Sequence, residues 1–555
     1  MAEIGEIVAV KITDITEEGH GVGHMPDGMA LFVPGAYPGD VAEAELEKVQ
    51  KRYASARLLK IKESSENRLP DFCPYDEQCG GCPLGRLRES AQHELGKRHV
   101  ADVLERIAGI ENPFVEEMTG FGGAADSEAA GKAGDGEAGE VEKTGEAEKN
   151  GETEKTESSP VRYRNKAVLK LGYSRGRNGA GKPLAGYFAR KSHRLIDVKE
   201  CRIQTPAADA AAEAVRTYMK EYEREIFDPK RGSCILKELT VRSSFSTGDV
   251  MAVLRIRGNR IPDPERLCEL LDEAIYAAPN GGCRKIPDSG AAWSLESVWL
   301  RAENGRKTKW MHIAGKRTIL DRIGDAKFEI GPDAFWQVNP EVTEKLYGKV
   351  YEYAGLSEGA RVLDLYCGLG SIGLYLSKRM KDSIHLIGIE SNEDAILGAN
   401  RSAVINRVVH ARYYQGKAEE VLTNLLEKFK ESSEGRDASK EHRTLSESEA
   451  ADLSAAEEAA PKIPIPDLSK TDCVILDPPR AGCKESLLEA VSGTVKPEKI
   501  VYVSCEPATF ARDIRFLIDC GYHFEKAAPF DMFPHTGRIE VVSLLSRSEG
   551  PTRDD

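Results

Sequence analysis

A thiol closes the apolar run Ile500-Val-Tyr-Val-Ser-Cys505-Glu-Pro507, and it is the side chain in this sequence best placed for covalent chemistry. Glu506-Pro507 breaks the strand that the run predicts, which sets Cys505 at a rim where a thiol can act as a nucleophile instead of packing as inert core. Upstream, Val362-Leu-Asp364-Leu-Tyr366-Cys-Gly368-Leu-Gly370-Ser-Ile-Gly373 reads as strand, tight turn and helix. Its glycines have the spacing that lets backbone approach a nucleotide closely. A second strand, Ile384-His-Leu-Ile-Gly-Ile-Glu390, ends in a carboxylate able to accept hydrogen bonds from ribose hydroxyls. A third, Cys473-Val-Ile-Leu-Asp477-Pro-Pro-Arg480, stops at two prolines and exposes Asp477 at the rim. Glu540, in Arg538-Ile-Glu540-Val-Val, would by itself be an ordinary charge on a strand. A thiol facing a nucleotide cofactor predicts group transfer onto an electrophilic carbon.

A second cluster, Cys73-Pro-Tyr-Asp-Glu-Gln-Cys79-Gly-Gly-Cys82, puts three thiols close together, with glycines that let the backbone wrap a compact inorganic core. The best candidate for a fourth ligand is Cys201, in Asp197-Val-Lys-Glu-Cys201-Arg-Ile-Gln. Four thiolates serve structural zinc as well as a [4Fe-4S] cluster, and spacing leaves both open, alongside a set of unrelated buried cysteines. A radical-generating cluster would keep one iron open by using three thiolates, so a fourth argues for a structural role. The chain has 12 cysteines among 555 residues, too few and too unevenly spaced for a disulfide scaffold, which favours metal or catalytic roles in a reducing compartment.

The elements that must position these groups follow from pattern. After Phe328 helices and strands alternate, which predicts a doubly wound parallel sheet with its chemistry at the carboxyl ends of the strands. Residues 4 to 61 hold short strand runs, Glu6–Ile12, Met29–Val33 and Asp40–Leu46, separated by Gly19-His-Gly-Val-Gly23 and Pro34-Gly35; that is a small barrel. Lys48-Val-Gln-Lys51-Arg52-Tyr53 suits a surface touching phosphates and bases, or a solvated charged strand. From 66 to 325 the pattern is mixed, with strands expected at Val161–Tyr173, Leu239–Ser243 and Val250–Arg257, a helix at Ala207–Tyr222 and a loop at Ala278–Gly282. Arg162-Tyr163-Arg164-Asn165-Lys166 is either RNA-facing or a solvated basic strand.

The net charge of -14 is unevenly spread. Residues 122 to 160 carry 11 acidic and 4 basic side chains (-7) and residues 430 to 460 carry 9 and 4 (-5), so these two account for -12 of it and the remainder is close to neutral. Both segments are poor in aromatic and branched apolar residues and are expected to be disordered inserts. The total therefore does not exclude a nucleic-acid partner. No apolar run is long enough to span a bilayer and the opening Met1-Ala-Glu-Ile-Gly lacks a secretory pattern, so a cytoplasmic protein without a membrane partner is expected.

Taken together, the sequence resembles the RNA uracil-5-methyltransferase family that uses S-adenosyl-L-methionine, in the 23S ribosomal RNA branch that carries a TRAM domain and an iron-sulfur cluster. The TRAM likeness lies in the Gly-x-Gly-Val-Gly loop, Phe32-Val-Pro and Pro38-Gly39. The resemblance implies a [4Fe-4S] cluster on Cys73, Cys79, Cys82 and Cys201. Its Phe-x-Gln-x-Asn signature appears as Phe335-Trp-Gln337-Val-Asn339, which implies cofactor contact by Gln337, together with Tyr366, Glu390 and Asp477. It aligns the nucleophile with Cys505 and the general base with Glu540. Two neighbours depart from the family pattern, Glu506 where Asn is usual and Arg538 where His is usual; Glu506 would raise the thiol pKa unless a cation such as Arg480 offsets it. The expected architecture is a Rossmann-like methyltransferase domain (326–548, insert 430–462), an N-terminal TRAM/OB-like β-barrel (1–65) and a mixed α+β iron-sulfur and RNA-binding domain (66–325, insert 122–160). The implied reaction is methylation of uracil C5 in ribosomal RNA through a covalent Cys–C6 adduct, with no obligate protein partner. Methylation of the transfer-RNA T-loop, an inactive RNA-binding assembly factor and a zinc-dependent RNA-binding protein are the alternatives.

Overall fold

The computed structural model describes residues 3–70, 73–121, 161–175, 180–190, 192–228, 233–279, 293–305, 307–433 and 467–547. The segment 122–160, nearly all of 430–462 and most of the Ala278–Gly282 loop lie outside the described residues.

Five strands close an N-terminal barrel: β1 (Ile7–Ile15), β2 (His20–His24), β3 (Ala30–Pro34), β4 (Val41–Val49) and β5 (Tyr53–Glu63), in the order β1-β2-β3-β5-β4. β4 shows the period-two logic, burying Ala42, Ala44 and Leu46 between outward-facing Glu43 and Glu45. The expected separator Gly19–Gly23 is largely strand β2. Its glycines are demanded by crowding, not by a turn: a Cβ at Gly21 would stand 2.4 Å from the Ala36 carbonyl oxygen, and one at Gly23 2.4 Å from Val10 Cγ2.

Helix α1 (Glu89–Val103) follows the thiol segment. A mixed seven-stranded sheet comes next, in the order β14-β13-β12-β11-β6-β7-β8. It is built from β6 (Lys166–Arg175), β7 (Ala180–Phe188), β8 (Leu195–Asp197), β11 (Leu236–Ser243), β12 (Asp249–Arg257), β13 (Ser294–Asn304) and β14 (Lys307–Gly315). The short strands β9 (Phe227–Asp228) and β10 (Ser233–Cys234) form a separate ribbon. Helices α2 (Pro206–Glu221), α3 (Glu223–Ile226) and α4 (Pro264–Tyr276) accompany the sheet. α2 buries Ala207, Ala211, Val215 and Tyr218 at helical spacing, and the Thr205 hydroxyl caps it by accepting from Ala208 N at 3.3 Å.

The hairpin of β15 (Ile319–Ile323) and β16 (Ala326–Ile330) leads into α5 (Pro340–Ala354). Alternation then begins: β17 (Arg361–Leu365), α6 (Ser371–Arg379), β18 (His385–Glu390), α7 (Glu393–Asn406), β19 (Ala411–Gln415), α8 (Ala418–Ser433), β20 (Cys473–Leu476), α9 (Glu485–Ala490), β21 (Lys499–Ser504), α10 (Pro507–Asp519), β22 (Tyr522–Phe530) and β23 (Glu540–Arg547). The sheet order is β19-β18-β17-β20-β21-β23-β22. Strands β19 to β21 are parallel, as expected; β23 is antiparallel to both β21 and β22, so the sheet is mixed and not wholly parallel. All four residues of β20 are buried, because helices cover both faces of a central parallel strand.

The chain between α1 and residue 121, read with the mixed region, adds to this C-terminal sheet. Val115 and Thr119 bridge Ala527 and Phe530 on β22, and Val100 of α1 and Leu104 just after it share a core with Phe510 and Ile514 of α10. Among the described residues no helix is long and apolar enough to cross a membrane.

Candidate active site

Register gathers the chemistry at one edge of the C-terminal sheet. β17 pairs with β18 through Leu365↔Ile389 and with β20 through Leu365↔Leu476. Tyr366, Glu390 and Asp477 therefore stand at the next rung. β21 pairs with β23 through Ser504↔Val541, which brings Cys505 and Glu540 to the same edge from strands running in opposite directions. Five of the expected site residues thus converge, at the place where open α/β sheets bind their ligands.

The turn after β17 is shaped for close approach. Tyr366 adopts a left-handed φ of 64°, an unusual conformation for a bulky residue. Its ring packs toward α8 and α9, with Cys483 and Glu419 beside the hydroxyl, and burial raises its pKa. Gly370 also has a left-handed φ of 70°, and a Cβ there would stand 2.5 Å from the Tyr413 hydroxyl. The Glu390 carboxylate accepts from Gly368 N at 3.2 Å and Asn392 N at 2.7 Å, tying the turn to the end of β18. Asp364 is fully buried and accepts from Gly373 N at 3.1 Å. Burial, with a smaller push from Asp477 and Glu390, lifts its carboxyl to about 8.

Electrostatics link the remaining groups. Burial, then the charges of Glu540 and Asp477, push the Cys505 thiol up to about 11, while the Arg480 guanidinium opposes them through its charge and a hydrogen bond. Glu540 is 4% exposed, and burial followed by Asp477 lifts it to about 8, again against Arg480. Burial alone takes Asp477 to about 7. The expected repulsion on the thiol therefore comes chiefly from Glu540 and Asp477. Glu506 instead occupies the N-cap position of α10, its backbone N–H donating to Ser504 Oγ at 3.1 Å. Arg538 is exposed, with its backbone N–H on Thr536 Oγ1.

Gln337 is buried in the loop between β16 and α5, held through its backbone: its carbonyl accepts from Asn165 Nδ2 at 2.9 Å. Among the described residues no hydrogen bond joins its amide to Glu390 or Asp477. Of the other members of its signature, Asn339 caps α5 and Phe335 is exposed, while Trp336 between them donates to Asp321 at 2.9 Å. Sequence reading missed Tyr347 on α5. It is buried, its hydroxyl is 2.7 Å from Ser371 Oγ, and Asp477, Asp364 and Glu540 all act on it. No motif marks it, because its helix enters the site only through tertiary packing.

The basic stretch 162–166 is largely committed inside the protein. Arg162 donates to the carbonyls of Cys201 and Gln204 and pairs with Asp209 at 2.7 Å, and Tyr163 is buried with its hydroxyl on the Pro534 carbonyl at 3.2 Å. These contacts place the Cys201 segment. Cys73, Cys79, Cys82 and Cys201 line one cavity of about 260 Å³. Burial raises all four thiols, Cys201 to about 11, and the sulfurs of Cys73, Cys79 and Cys201 raise Cys82 further. Four partly buried thiols that repel one another when ionised are a donor set that a bound cation or cluster would relieve.

Comparisons with known proteins accord with this layout. The TRAM domain family model matches residues 2–59, and the tRNA (Uracil-5-)-methyltransferase family model matches residues 463–548. An uncharacterized RNA methyltransferase of Caldanaerobacter subterraneus subsp. tengcongensis is 33% identical over 98% of this chain and 99% of its own length. One of Halalkalibacterium halodurans is 32% identical over 97% of each. In fold, the chain is similar to the Pyrococcus abyssi tRNA (uracil-54, C5)-methyltransferase, solved in complex with S-adenosyl-L-homocysteine, with a TM-score of 0.62 and 23% identity over 97% of this chain and 100% of that one. With a tight glycine turn and a thiol beside a buried carboxylate at one sheet edge, and near full-length likeness to RNA methyltransferases, the chain belongs to the RNA uracil-5-methyltransferase family.

Proposed function

We propose that the protein methylates C5 of uracil in 23S ribosomal RNA, using S-adenosyl-L-methionine and a covalent adduct between Cys505 and uracil C6. The observation that carries this reading is the convergence of Cys505, Glu540 and Asp477 under the influence of Arg480. S-adenosyl-L-methionine, when bound, supplies an electrophilic methyl group; Glu390 and the Gly368–Gly373 turn, with Tyr366, Asp477 and Gln337, would hold it. Uracil C5 is too weak a nucleophile to take that methyl unaided. The Cys505 thiolate adds to C6, forming a C–S bond and moving the π pair onto C5, which would then bond to that methyl group as its bond to the sulfonium sulfur breaks and leaves a neutral thioether. Glu540 removes the C5 proton, the C5–C6 double bond re-forms and the thiolate leaves.

Arg480 favours the thiolate, which burial and two carboxyls would otherwise suppress. A carboxyl lifted to about 8 is a stronger base, once ionised, than an ordinary glutamate, and so suits the removal of a carbon-bound proton. The target carbons are hidden when uracil is stacked and paired, so the base must sit in a loop or be flipped out. The four-thiol cavity fits a [4Fe-4S] cluster in donor chemistry and in room, and a cluster there would cross-link the 73–82 segment to Cys201.

Transfer RNA is the second reading, favoured by the whole-length fold likeness to the P. abyssi tRNA enzyme. Incubating anaerobically purified protein with S-adenosyl-L-methionine and unmodified ribosomal or transfer RNA, followed by nucleoside mass spectrometry and mapping, separates the readings. Mapped 5-methyluridine in ribosomal RNA supports the proposal, and product only in transfer RNA overturns the substrate. No product from a metal-loaded preparation brings an RNA-binding assembly factor forward.

A further inference from the structure

We propose that Glu89, His93 and Asp531 form a binding site for a divalent transition-metal cation, separate in its ligands from the four thiols and from Cys505 and Glu540. Glu89 and His93 lie one turn apart on α1, so carboxylate and imidazole share a face. Asp531 follows β22 and meets them there. Its side chain is 4% exposed, and its Oδ2 has no hydrogen-bond partner among the described residues, although it points at the imidazole. A carboxylate oxygen buried in that way calls for a cation.

The spacing suits a metal ion better than a hydrogen bond. His93 Nε2 stands 3.4 Å from Asp531 Oδ2 and 3.6 Å from Glu89 Oε1, and the three ligand atoms lie within 4.8 Å of one another. An N–H···O bond prefers about 2.7 to 3.2 Å. Ligands bonded at about 2.1 Å to a tetrahedral ion stand about 3.4 Å apart. Gly120 roofs the group, since a Cβ there would fall 2.3 Å from the His93 ring and 2.9 Å from Glu89 Oε1. Lys345 reaches the Gly120 carbonyl at 2.9 Å and Glu341 at 3.1 Å, which commits that ammonium elsewhere.

One nitrogen and two oxygens suit Zn²⁺, Mn²⁺ or Fe²⁺, and the absence of sulfur from the set distinguishes this site chemically from the thiol cavity. Its place in the fold gives the ion a purpose. Gln92, the neighbour of His93, accepts from His535 N at 3.0 Å, in the loop that runs from Asp531 to Glu540. An ion on Asp531 would fix both ends of that loop's contact with α1 and so position Glu540.

Mn²⁺ is the probe of choice, because it binds thiolates poorly. Titrating Mn²⁺ alone into the full chain, with its thiol site already loaded, and reading free Mn²⁺ by electron paramagnetic resonance should give one bound equivalent. Binding should weaken at least about tenfold in His93→Gln and Asp531→Asn. Glu89→Gln, in the first turn of α1, should do the same and serves if Asp531→Asn does not fold. No stoichiometric uptake, or uptake equal in wild type, His93→Gln and Glu89→Gln, overturns the site. Because the readout is metal stoichiometry, it is independent of whether the protein methylates uracil.

Discussion

At the scale of single residues, the protonation states of Cys505 and Glu540 govern what can be measured. With the thiol lifted to about 11 and Glu540 to about 8, both groups are mainly protonated at neutral pH in the RNA-free protein. The proposed chemistry needs them ionised, so single-turnover methyl transfer should rise with a two-proton slope up to about pH 8 and a one-proton slope above it, and Glu540→Gln should keep only the one-proton slope of the thiol. Cys505→Ala should abolish the covalent RNA adduct seen on denaturing gels. Glu540→Gln should slow turnover by roughly 10² to 10⁴ while the adduct accumulates; adduct at the wild-type level would remove Glu540 from the role of base. Stability carries the opposite dependence. A carboxyl held above its ordinary value binds a proton in the folded state that the unfolded chain has already lost, so stability falls as pH rises from the unfolded value near 4.5 to about 8. Thermal melts across that window should show a steeper decline for wild type than for Glu540→Gln.

At the scale of elements, the catalytic edge depends on contacts the barrel makes with it. The β1–β2 turn docks against the loop before Glu540 so closely that a Cβ at Gly537 would stand 2.4 Å from the Glu17 carbonyl oxygen and 2.6 Å from its Cα. Both are backbone atoms that cannot step aside. Gly537→Ala should therefore cost about 1 to 3 kcal/mol of stability in denaturant melts, and methyl transfer should fall even where the protein is fully folded. Glu17 also lies close enough to His99 and Arg480 that both lower its pKa, so the turn's carboxylate feels the charge of the same guanidinium that steadies Cys505. None of this was legible in the sequence. What was legible were elements whose burial is written locally: the apolar runs of β20 and β21, each stopped by proline, the Gly368–Gly373 turn and the alanine face of α2. β2 was hidden because its glycines signal a turn in composition while serving close packing. The antiparallel β23 was hidden because its direction is set by tertiary pairing with β21 and β22, and the allegiance of α1 to the C-terminal sheet because its contacts lie hundreds of residues along the chain. Tyr347 was hidden for the same reason.

At the scale of the whole molecule, the thiol segment is wired into the catalytic loop. Leu84 N donates to the His535 carbonyl at 2.9 Å, Tyr163 from the Cys201 side donates to the Pro534 carbonyl, and a Cβ at Gly19 would meet Pro83 at 2.5 Å. Barrel, thiol segment and the loop leading to Glu540 therefore share one set of contacts. The turn that includes Gly368 and the carboxylate of Glu390 sits farther along the sheet, on β17 and β18, which pair with each other and with β20 and β19. Disturbing the thiols should consequently separate two activities. Cys201→Ser, which leaves the other three thiols and the Arg162 contacts to the backbone, should lower the melting temperature and abolish RNA trapping by Cys505. Binding of S-adenosyl-L-homocysteine by calorimetry should change by less than about threefold, a difference below 1 kcal/mol. Loss of both together would mean that the thiol segment supports the whole fold. Retention of both would mean that the four thiols are dispensable and that the catalytic loop is held by its own contacts. The split outcome is expected because hydrogen bonds tie the thiol segment to the Pro534-His535 backbone, whereas Glu390 is tied to Gly368 within the C-terminal sheet alone.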